Sequence, residues 1–460
     1  MQRLLKSRFF ADYGSLFILL LLCTYYSYAT LDEQHPSDRA AGRQLAQRLI
    51  SEADRDSTVV IAIRETALDQ VFAEAIATEL ESNNFTHVEV IAGQPIDIAN
   101  GLIKVAENGK TVEAIATHHA GSRWGPLQPE RLQKLAAAHP SFGEPQVLSP
   151  KSYIWPSFLT RQNLLNVINQ NADVAIIAIG MTMVIITAGI DLSVGSLLAV
   201  SAVLAAIFIQ SFGGGADAGL FSLIFCSLLA IGICTLGGVG TGIMVTWFSV
   251  PAFVVTLSML MIARGLALIF AVRYQKVLSG GTTEGTPEAI KIEAELFGWL
   301  GNGEMLGIPN PIWLMMGLYL LFHIVMTRTV FGRYVYAVGG NPEAAKLSGV
   351  PVKKVLIAVY ALCAALAGLG GIVDASRFEG GRPNAGDLYE LQVIAAVVVG
   401  GTSLSGGQGK IFGTLIGALM IAVIQNGLNM ASVKSYEQKV VFGLLILGAV
   451  VIDQLKKRVR

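Results

Sequence analysis

The stretch Gly189-Ile190-Asp191-Leu192-Ser193-Val194-Gly195-Ser196 is a polar break between two long apolar runs, and it decides how the chain folds. The run before it covers about 174–188, and the run after it continues to residue 209. An unpaired carboxylate is costly in hydrocarbon, so Asp191 is a candidate functional residue together with Ser193. Asp191 is also suited to cap the following helix, by accepting from the backbone N–H of Ser193 or Val194. The sequence leaves both interpretations open.

The composition is that of a membrane protein. Hydrophobic residues make up 53% of the 460 residues and charged residues 14%, whereas soluble domains average about 25% charged residues. The 33 basic and 33 acidic residues balance, which gives no indication of nucleic-acid binding. The four cysteines lie in apolar runs, and no metal-ligand spacing or catalytic Ser/His/Asp arrangement is visible. We therefore expect no cofactor, no metal site and no enzymatic activity.

Apolar runs after residue 161 predict nine transmembrane helices, and a run near the N-terminus adds a tenth. The sequence thus predicts an all-α polytopic membrane protein of about ten transmembrane helices. The nine runs lie near 164–188, 192–210, 219–246, 251–272, 311–327, 354–374, 388–401, 411–430 and 438–453.

Basic residues indicate which parts of the chain face the cytoplasm. They precede the first apolar run, dominate the loop 328–354 and fill the C-terminal tail. The loops near 273–309 and 374–390 carry more acids than bases, so we place them outside. The first helix is either retained or cleaved as a signal peptide after Ala29, and both alternatives put residue 31 onward outside.

Residues 31–150 differ from the rest of the chain, because strand-like and helix-like patterns alternate along them. Strand patterns occur at 57–63, 87–92 and 112–117, and helical patterns at 67–82 and 97–108. This alternation predicts a small parallel sheet built from βαβ units. We expect three parts: 1–30, the cytoplasmic N-terminus and first transmembrane helix; 31–150, an extracytoplasmic α/β insertion; and 151–460, the main transmembrane domain.

A short capped helix is predicted in the cytoplasmic loop, at residues 341–349. Asn341 suits the cap, Pro342 the first turn, and Gly349 a left-handed end. A helix of about two turns is not stable alone, so we expect a partner to pack on it. An ordinary interhelical turn is the alternative.

Polar side chains recur at helical spacing on two of the apolar runs. One set shares a face of the helix that begins near residue 164, and the other lies near the outer end of a later helix. Amides and carboxylates together offer donors and acceptors for the hydroxyl groups of a ligand. Helix ends that simply meet water are the alternative. The residues are Asn166, Asn169, Gln170 and Asp173 in the first set, and Gln425, Asn426 and Asn429 in the second.

The stretch 404–408 reads Leu-Ser-Gly-Gly-Gln, which is the signature of ABC ATPases, but its context excludes that role. Such an ATPase needs an upstream G-x-x-x-x-G-K-[ST] loop to hold phosphate, and the sequence contains none. The apolar run from Ile411 follows directly. We therefore predict a glycine-rich turn between two membrane helices.

Together these motifs resemble those of ribose-type ABC sugar-importer permeases. The resemblance covers about 152–455 and includes the break at 189–196, the E-A-A-x-x-x-G pattern within 332–349, and the stretch 394–403. It implies that Asp191 and Ser193 line a substrate path. It also implies that the residues coupling the chain to an ATPase are Asn341, Pro342, Glu343, Ala344, Ala345 and Gly349.

The resemblance further implies a set of partners and a location. The chain would be one half of a homo- or heterodimeric permease in the lipid bilayer of the bacterial cytoplasmic (inner) membrane. It would work with a cytoplasmic ABC ATPase and a periplasmic sugar-binding protein and import a monosaccharide such as ribose. The insertion of about 120 residues after the first helix departs from the family. One hypothesis is that this insertion contacts, or partly replaces, the periplasmic binding protein.

Two other functions remain as alternatives. A membrane-anchored ligand sensor would need a cytoplasmic output domain, and the tail after Asp453 is too short for one. An ion-coupled secondary sugar carrier would favour buried charged pairs within the spans. Apart from Asp173 and Asp191, the predicted spans contain almost no such charges.

Overall fold

The computed structural model describes residues 8–278 and 287–459. The chain divides into a helical unit, formed by residues 1–30 and 158–460, and an α/β unit, formed by residues 31–157. Each unit has its own hydrophobic core, so each is described by itself.

The chain begins with helix α1 of the helical unit and continues through the α/β unit. The predicted alternation of strands and helices is confirmed, and two elements have the predicted bounds, Ala67–Ser82 and Val112–Thr117. The elements are α1 (Arg8–Ala29), β1 (Leu31–Gln34), α2 (Arg39–Glu52), β2 (Thr58–Ile63), α3 (Ala67–Ser82), β3 (Val88–Ala92), α4 (Pro95–Glu107), β4 (Val112–Thr117), α5 (His119–Ser122), α6 (Pro129–Ala138), β5 (Gln146–Leu148) and β6 (Tyr153–Pro156).

Four parallel strands form the main sheet of the α/β unit, in the order β3-β2-β4-β5. Helices α2 and α3 cover one face with Leu45 and Phe72, and α4 and α6 cover the other with Leu102 and Leu132. Because helices cover both faces, the sheet is doubly wound. Strands β1 and β6 pair antiparallel, so the α/β unit extends beyond residue 150.

A buried carboxylate lies at the carboxyl ends of β2 and β4. Asp69 is 1% exposed and accepts a hydrogen bond from Arg64 Nε at 2.7 Å, and His118 Nε2 lies 3.6 Å from Asp69 Oδ2. Burial opposes ionisation of Asp69, but the hydrogen bond from Arg64 and the charges of His118 and Arg64 outweigh it and lower the pKa of Asp69. Burial lowers the pKa of His118, although the negative charge of Asp69 acts to raise it.

We expect the α/β unit to lose stability in mild acid. The unfolded chain protonates His118 near pH 6.5, whereas the folded unit resists protonation, so the free energy of unfolding falls as the pH drops below 6.5. The lowered pKa of Asp69 adds a further loss at still lower pH, as that carboxylate is protonated.

Hydrogen exchange of the β2 and β4 amides in the intact protein measures this effect. After correction for the intrinsic rates, exchange should be faster at about pH 5.5 than at about pH 7.5. The change His118→Asn should weaken this pH dependence, and the same change at the exposed His87 should not. Equal pH dependence in both variants would contradict the assignment to His118.

Helices dominate the second unit. Only short two-residue strands interrupt them in the described residues. The elements are α7 (Arg161–Gln170), α8 (Ala172–Ile186), α9 (Val194–Ser211), α10 (Leu220–Trp247), α11 (Ala252–Leu278), β7 (Ile290–Lys291), α12 (Glu295–Asn302), β8 (Glu304–Met305), β9 (Ile308–Pro309), α13 (Asn310–Arg328), α14 (Val330–Gly340), α15 (Pro342–Leu347), α16 (Val352–Arg377), β10 (Gly380–Gly381), α17 (Tyr389–Val399), α18 (Ile411–Met430) and α19 (Ser435–Val459).

Six helices in the described part of the chain are long and apolar enough to cross a membrane, and the bent pair α7–α8 would make a seventh span. The six are α9, α10, α11, α13, α16 and α18. The chain is therefore a polytopic helical membrane protein. The count falls below the predicted ten because α17 has only 11 residues and the apolar part of α1, Ser15–Ala29, is also short. Several side chains of α19 lie outside the described residues.

The predicted continuous helix near 164–188 is instead two helices. Helix α7 ends at Gln170, α8 begins at Ala172, and their axes differ by 46°. Asn171 between them donates its side-chain amide to the Val167 carbonyl oxygen at 3.0 Å. Only α8 is buried along its whole length.

Helix α16 is the centre of the helical unit. Helices α8, α9 and α10 all pack against it, and glycines stand at the closest contacts. A Cβ on Gly180 would lie 2.7 Å from the Cα of Cys363, and a Cβ on Gly238 would lie 2.5 Å from the Tyr360 carbonyl oxygen. Small residues let membrane helices approach in this way, so the apolar glycines serve helix packing.

Candidate functional site

The polar break connects α8 to α9, and its aspartate is buried. Asp191 is 1% exposed, and its Oδ1 accepts from the backbone N–H of Ser193 at 2.9 Å and from Ser193 Oγ at 2.6 Å. The backbone hydrogen bond is one of the two that the sequence predicted for a helix cap. The Cys363 thiol of α16 lies close to the Asp191 carboxylate, and a Cβ on Gly189 would lie 2.5 Å from the Tyr360 hydroxyl, so the break packs against α16.

The break lies well inside the helical unit. Its neighbours Cys363 and Tyr360 fall near the middle of the 26-residue helix α16. Non-helical backbone at such depth in a membrane occurs only where protein buries it or where it lines a water-filled cavity. The arrangement therefore provides a polar discontinuity in the interior of a bundle of membrane helices.

The predicted capped helix is present as α15. Asn341 Oδ1 accepts from the backbone N–H of Ala344 at 3.0 Å, and Gly349 follows the helix with a φ of +82°. Pro342, Glu343 and Ala344 are exposed, whereas Ala345 is buried. Leu347 is 89% exposed. A six-residue helix with an exposed leucine offers a surface on which another protein can pack.

The Leu-Ser-Gly-Gly-Gln stretch lies in a turn between α17 and α18 that contacts two other elements. The Gly407 N–H donates to the Ile186 carbonyl oxygen at 2.8 Å, at the end of α8. Tyr336 of α14 donates its hydroxyl to the Gly409 carbonyl oxygen at 2.8 Å. A Cβ on Gly339 would lie 1.7 Å from the Ile186 oxygen. The turn thus joins the residues before α15 to the residues before the break.

The first polar set does not share one continuous helix face, because the bend at Asn171 separates its members. Asn166 and Gln170 are exposed and Asn169 is half-buried on α7. Asp173 lies on α8 and is completely buried. The helical spacing of these residues in the sequence therefore does not describe their arrangement.

The second polar set takes part in helix–helix contacts. Asn426 and Asn163 exchange two side-chain hydrogen bonds, of 3.2 and 3.0 Å, between α18 and α7. Asn429 Oδ1 accepts from Gln438 Nε2 of α19 at 2.8 Å. Gln425 is half-buried on the same helix. The amides of Asn426 and Asn429 are thus already used between helices.

We expect Asn426→Leu to lower thermal stability by about 1 kcal/mol, because it leaves Asn163 Oδ1 without its donor. The double variant Asn163→Leu/Asn426→Leu should be less destabilised than the sum of the single variants, since both amides are then removed, although the Phe158 carbonyl oxygen loses its donor. Thermal unfolding of the purified protein in detergent measures both. A double variant at least as unstable as the sum of the singles would show that the amides act separately.

A charged cluster that the sequence analysis missed joins α8, α16 and α17. Asp173 Oδ2 lies 3.7 Å from Arg377 Nη1 and accepts from the Tyr389 hydroxyl at 3.4 Å. Asp374, which is 1% exposed, accepts from Arg382 Nη2 at 2.7 Å. The second carboxylate oxygen of Asp374 is buried with no hydrogen-bond partner among the described residues.

The acid-rich composition of 374–390 predicts only an outer loop, and the sequence predicts almost no charges within the spans. The cluster is a correction to that count, because Asp374 and Arg377 lie in the last turn of α16. The pairing of Asp173 with Arg377 was not visible in the sequence, since the two residues lie about 200 positions apart. A signal was available in the local alternation of acids and bases after Asp374.

Apolar spanning helices around a buried polar break define a membrane transport protein, and comparison with known proteins gives its family. Residues 163–450 match the family described as "Branched-chain amino acid transport system / permease component". The chain belongs to this family of permease components. The match begins after the α/β unit, which ends at residue 157.

Several characterised relatives carry names of sugar permeases. The ribose import permease protein RbsC of Escherichia coli (strain K12) is 43% identical over 308 residues, which are 66% of this chain and 90% of that protein. The protein of the same name from Bacillus subtilis (strain 168) is 41% identical over 305 residues, 66% and 88% of the two chains. The L-arabinose ABC transporter permease protein AraH of Azospirillum brasilense is 34% identical over 307 residues, 66% and 84%. No solved structure matches the chain.

Proposed function

We propose that the chain is the membrane-spanning permease subunit of an ABC importer that moves a monosaccharide, such as ribose, across the bacterial cytoplasmic membrane. A separate subunit hydrolyses the ATP. Family membership and the names of the relatives support the transport class. The exposed helix α15 supports the proposal as well, because it offers a surface to which the subunit that supplies the energy can bind.

The exposure of α15 is the observation that carries this proposal. Only one of its six residues, Ala345, is buried, although a helix of this length needs support to be stable. The surface formed by Asn341, Pro342, Glu343, Ala344 and Leu347 is therefore available to an ATPase subunit. Gly339 and Gly340, which directly precede that surface, contact the Gly406–Gly407 turn, and this contact gives a route to the break at 189–196.

The proposed topology has ten spans, because α1, α17 and α19 join the six long helices and the bent pair. With basic loops inside, α15 faces the cytoplasm and residues 31–150 lie on the outer side. The further partners are a second permease subunit, identical or different, and a periplasmic sugar-binding protein. The α/β unit contacts that binding protein or partly replaces it. Deletion of 35–148 with unchanged uptake and unchanged binding-protein affinity would argue against this role.

The proposed substrate path passes Asp191 and Ser193. Asn166, Asn169, Gln170 and Asp173 stand at its outer end, with Gln425. Asn426 and Asn429 contribute less to the proposal, because their amides bond to neighbouring helices.

The buried pairs Asp173–Arg377 and Asp374–Arg382 are the feature that an ion-coupled carrier would show. Uptake of radiolabelled pentoses and hexoses into vesicles separates the two functions. An ABC importer needs ATP, the ATPase subunit and a binding protein, and it works without an ion gradient. Uptake driven by an ion gradient alone, or ATP hydrolysis by the purified chain alone, would contradict the proposal.

A further inference from the structure

The segment between α16 and α17 turns back into the helical unit instead of staying at its surface. A Cβ on Gly381 would lie 2.5 Å from the Ala202 carbonyl oxygen, in the middle of α9. A Cβ on Gly386 would lie 2.6 Å from the Gly195 carbonyl oxygen, in the first turn of α9. The segment 380–388 therefore follows α9 toward the polar break.

Two measures place this segment deep in the membrane. Gly195 lies 16 residues before the end of α9 at Ser211, which corresponds to about 24 Å of a hydrocarbon core about 30 Å thick. Arg264 lies at the middle of the 27-residue helix α11. Its Nη1 donates to the carbonyl oxygens of Pro383 and Ala385, at 3.0 and 2.8 Å.

These contacts satisfy backbone groups that a helix would otherwise pair. Backbone outside regular structure is tolerated at membrane depth only when protein buries it or water reaches it. The guanidinium of Arg264 donates to backbone carbonyl oxygens on the buried side of the segment. These belong to Pro383 and Ala385, which are both buried.

The other side of the segment is polar and uncovered. Asn384 and Asp387 are exposed, and Glu390 at the start of α17 is half-buried. The carboxylates of Asp387 and Glu390 lie within electrostatic reach of Arg264. Ionised groups at this depth do not face lipid, because hydrocarbon cannot solvate them. Water or another polar surface must therefore meet this side of the segment.

We propose that Arg264, Asn384, Asp387 and Glu390 form a hydroxyl-binding wall of an aqueous translocation path within the membrane. The assignment of a sugar as the ligand rests on the proposed function. Carboxylates accept from sugar hydroxyls, the guanidinium donates to them, and the amide does both. The wall continues to the break, since Gly386 packs on Gly195.

Cysteine labelling tests the aqueous path without a known sugar. In a variant with the four native cysteines replaced, Asn384→Cys and Asp387→Cys are treated in membrane vesicles with a charged, membrane-impermeant thiol reagent. The matched control is Ile262→Cys. Ile262 is 55% exposed on α11, and because it lies two residues before Arg264 its side chain points to the opposite side of the helix. We expect at least about tenfold faster labelling at 384 and 387 than at 262. Labelling as slow as at 262 would overturn the proposal in favour of a dry interface.

Uptake tests the ligand class. Asp387→Asn and Glu390→Gln should each lower sugar uptake about tenfold or more, because a charged hydrogen bond to the substrate is lost. ATPase assembly should stay unchanged, and Glu379→Gln, an exposed acid of the same connection, should transport normally. Normal uptake in both test variants would overturn the sugar-binding role. No uptake of any sugar by the unaltered transporter would reject the proposed function, while the labelling pattern would still decide whether the path is aqueous.

Discussion

Replacing Gly339 by alanine is expected to abolish uptake, whereas the same change at the adjacent Gly340 leaves it near the wild-type rate. A Cβ on Gly339 would lie 1.7 Å from the Ile186 carbonyl oxygen and 2.7 Å from the Gly407 nitrogen. Both neighbours are backbone atoms, so no side chain can move aside. A Cβ on Gly340 meets nothing within 4 Å.

The pair of variants separates packing from helix propensity, because both replace a glycine at the end of α14 by alanine. Overpacking in a filled interior costs about 1–3 kcal/mol, and a rigid backbone contact puts Gly339→Ala at the upper end. Uptake in vesicles and thermal unfolding in detergent are the measurements. If Gly339→Ala transports and unfolds like Gly340→Ala, the close contact between α14, the turn and α8 does not exist in the membrane.

Replacing Leu347 by aspartate should separate the permease from its ATPase while the membrane unit stays folded. The leucine is 89% exposed on α15, so the change costs the isolated chain little. In the complex it removes about 2 kcal/mol of apolar burial and adds a carboxylate to be desolvated, which weakens association about 30-fold or more. Co-purification with the ATPase and ATP-dependent uptake measure the effect.

Leu306→Asp is the matched control for this variant. Leu306 is 83% exposed in the turn between β8 and β9, at the other end of α13 from the loop that carries α15. It should leave ATPase association unchanged. Full co-purification of the Leu347→Asp variant would show that the ATPase docks elsewhere, and equal loss in both variants would point to misfolding.

Local signals in the sequence predicted local structure well. The alternation of patterns in the α/β unit gave α3 with the observed bounds, and Asn341, Pro342 and Gly349 gave a capped helix followed by a left-handed glycine. Each of these depends on residues within a few positions of one another.

Features that depend on distant contacts were missed or only partly predicted. The helical pattern of the sequence continues across Asn171, so the sequence predicted one helix where the structure has the two helices α7 and α8. The predicted span 388–401 contains α17, which has only 11 residues, because the preceding segment turns back into the helical unit. The pairing of Asp173 with Arg377 joins residues about 200 positions apart, which no local pattern reveals.

The contact of Gly339 with Gly407 and Ile186 is made of main-chain atoms. Main-chain atoms have no side-chain rotamers that could change to absorb a displacement. We therefore expect a tilt of α15 that moves Gly339 to displace Ile186 as well, three residues before Gly189. Movement of α15 would then reach the loop that holds the buried carboxylate of Asp191.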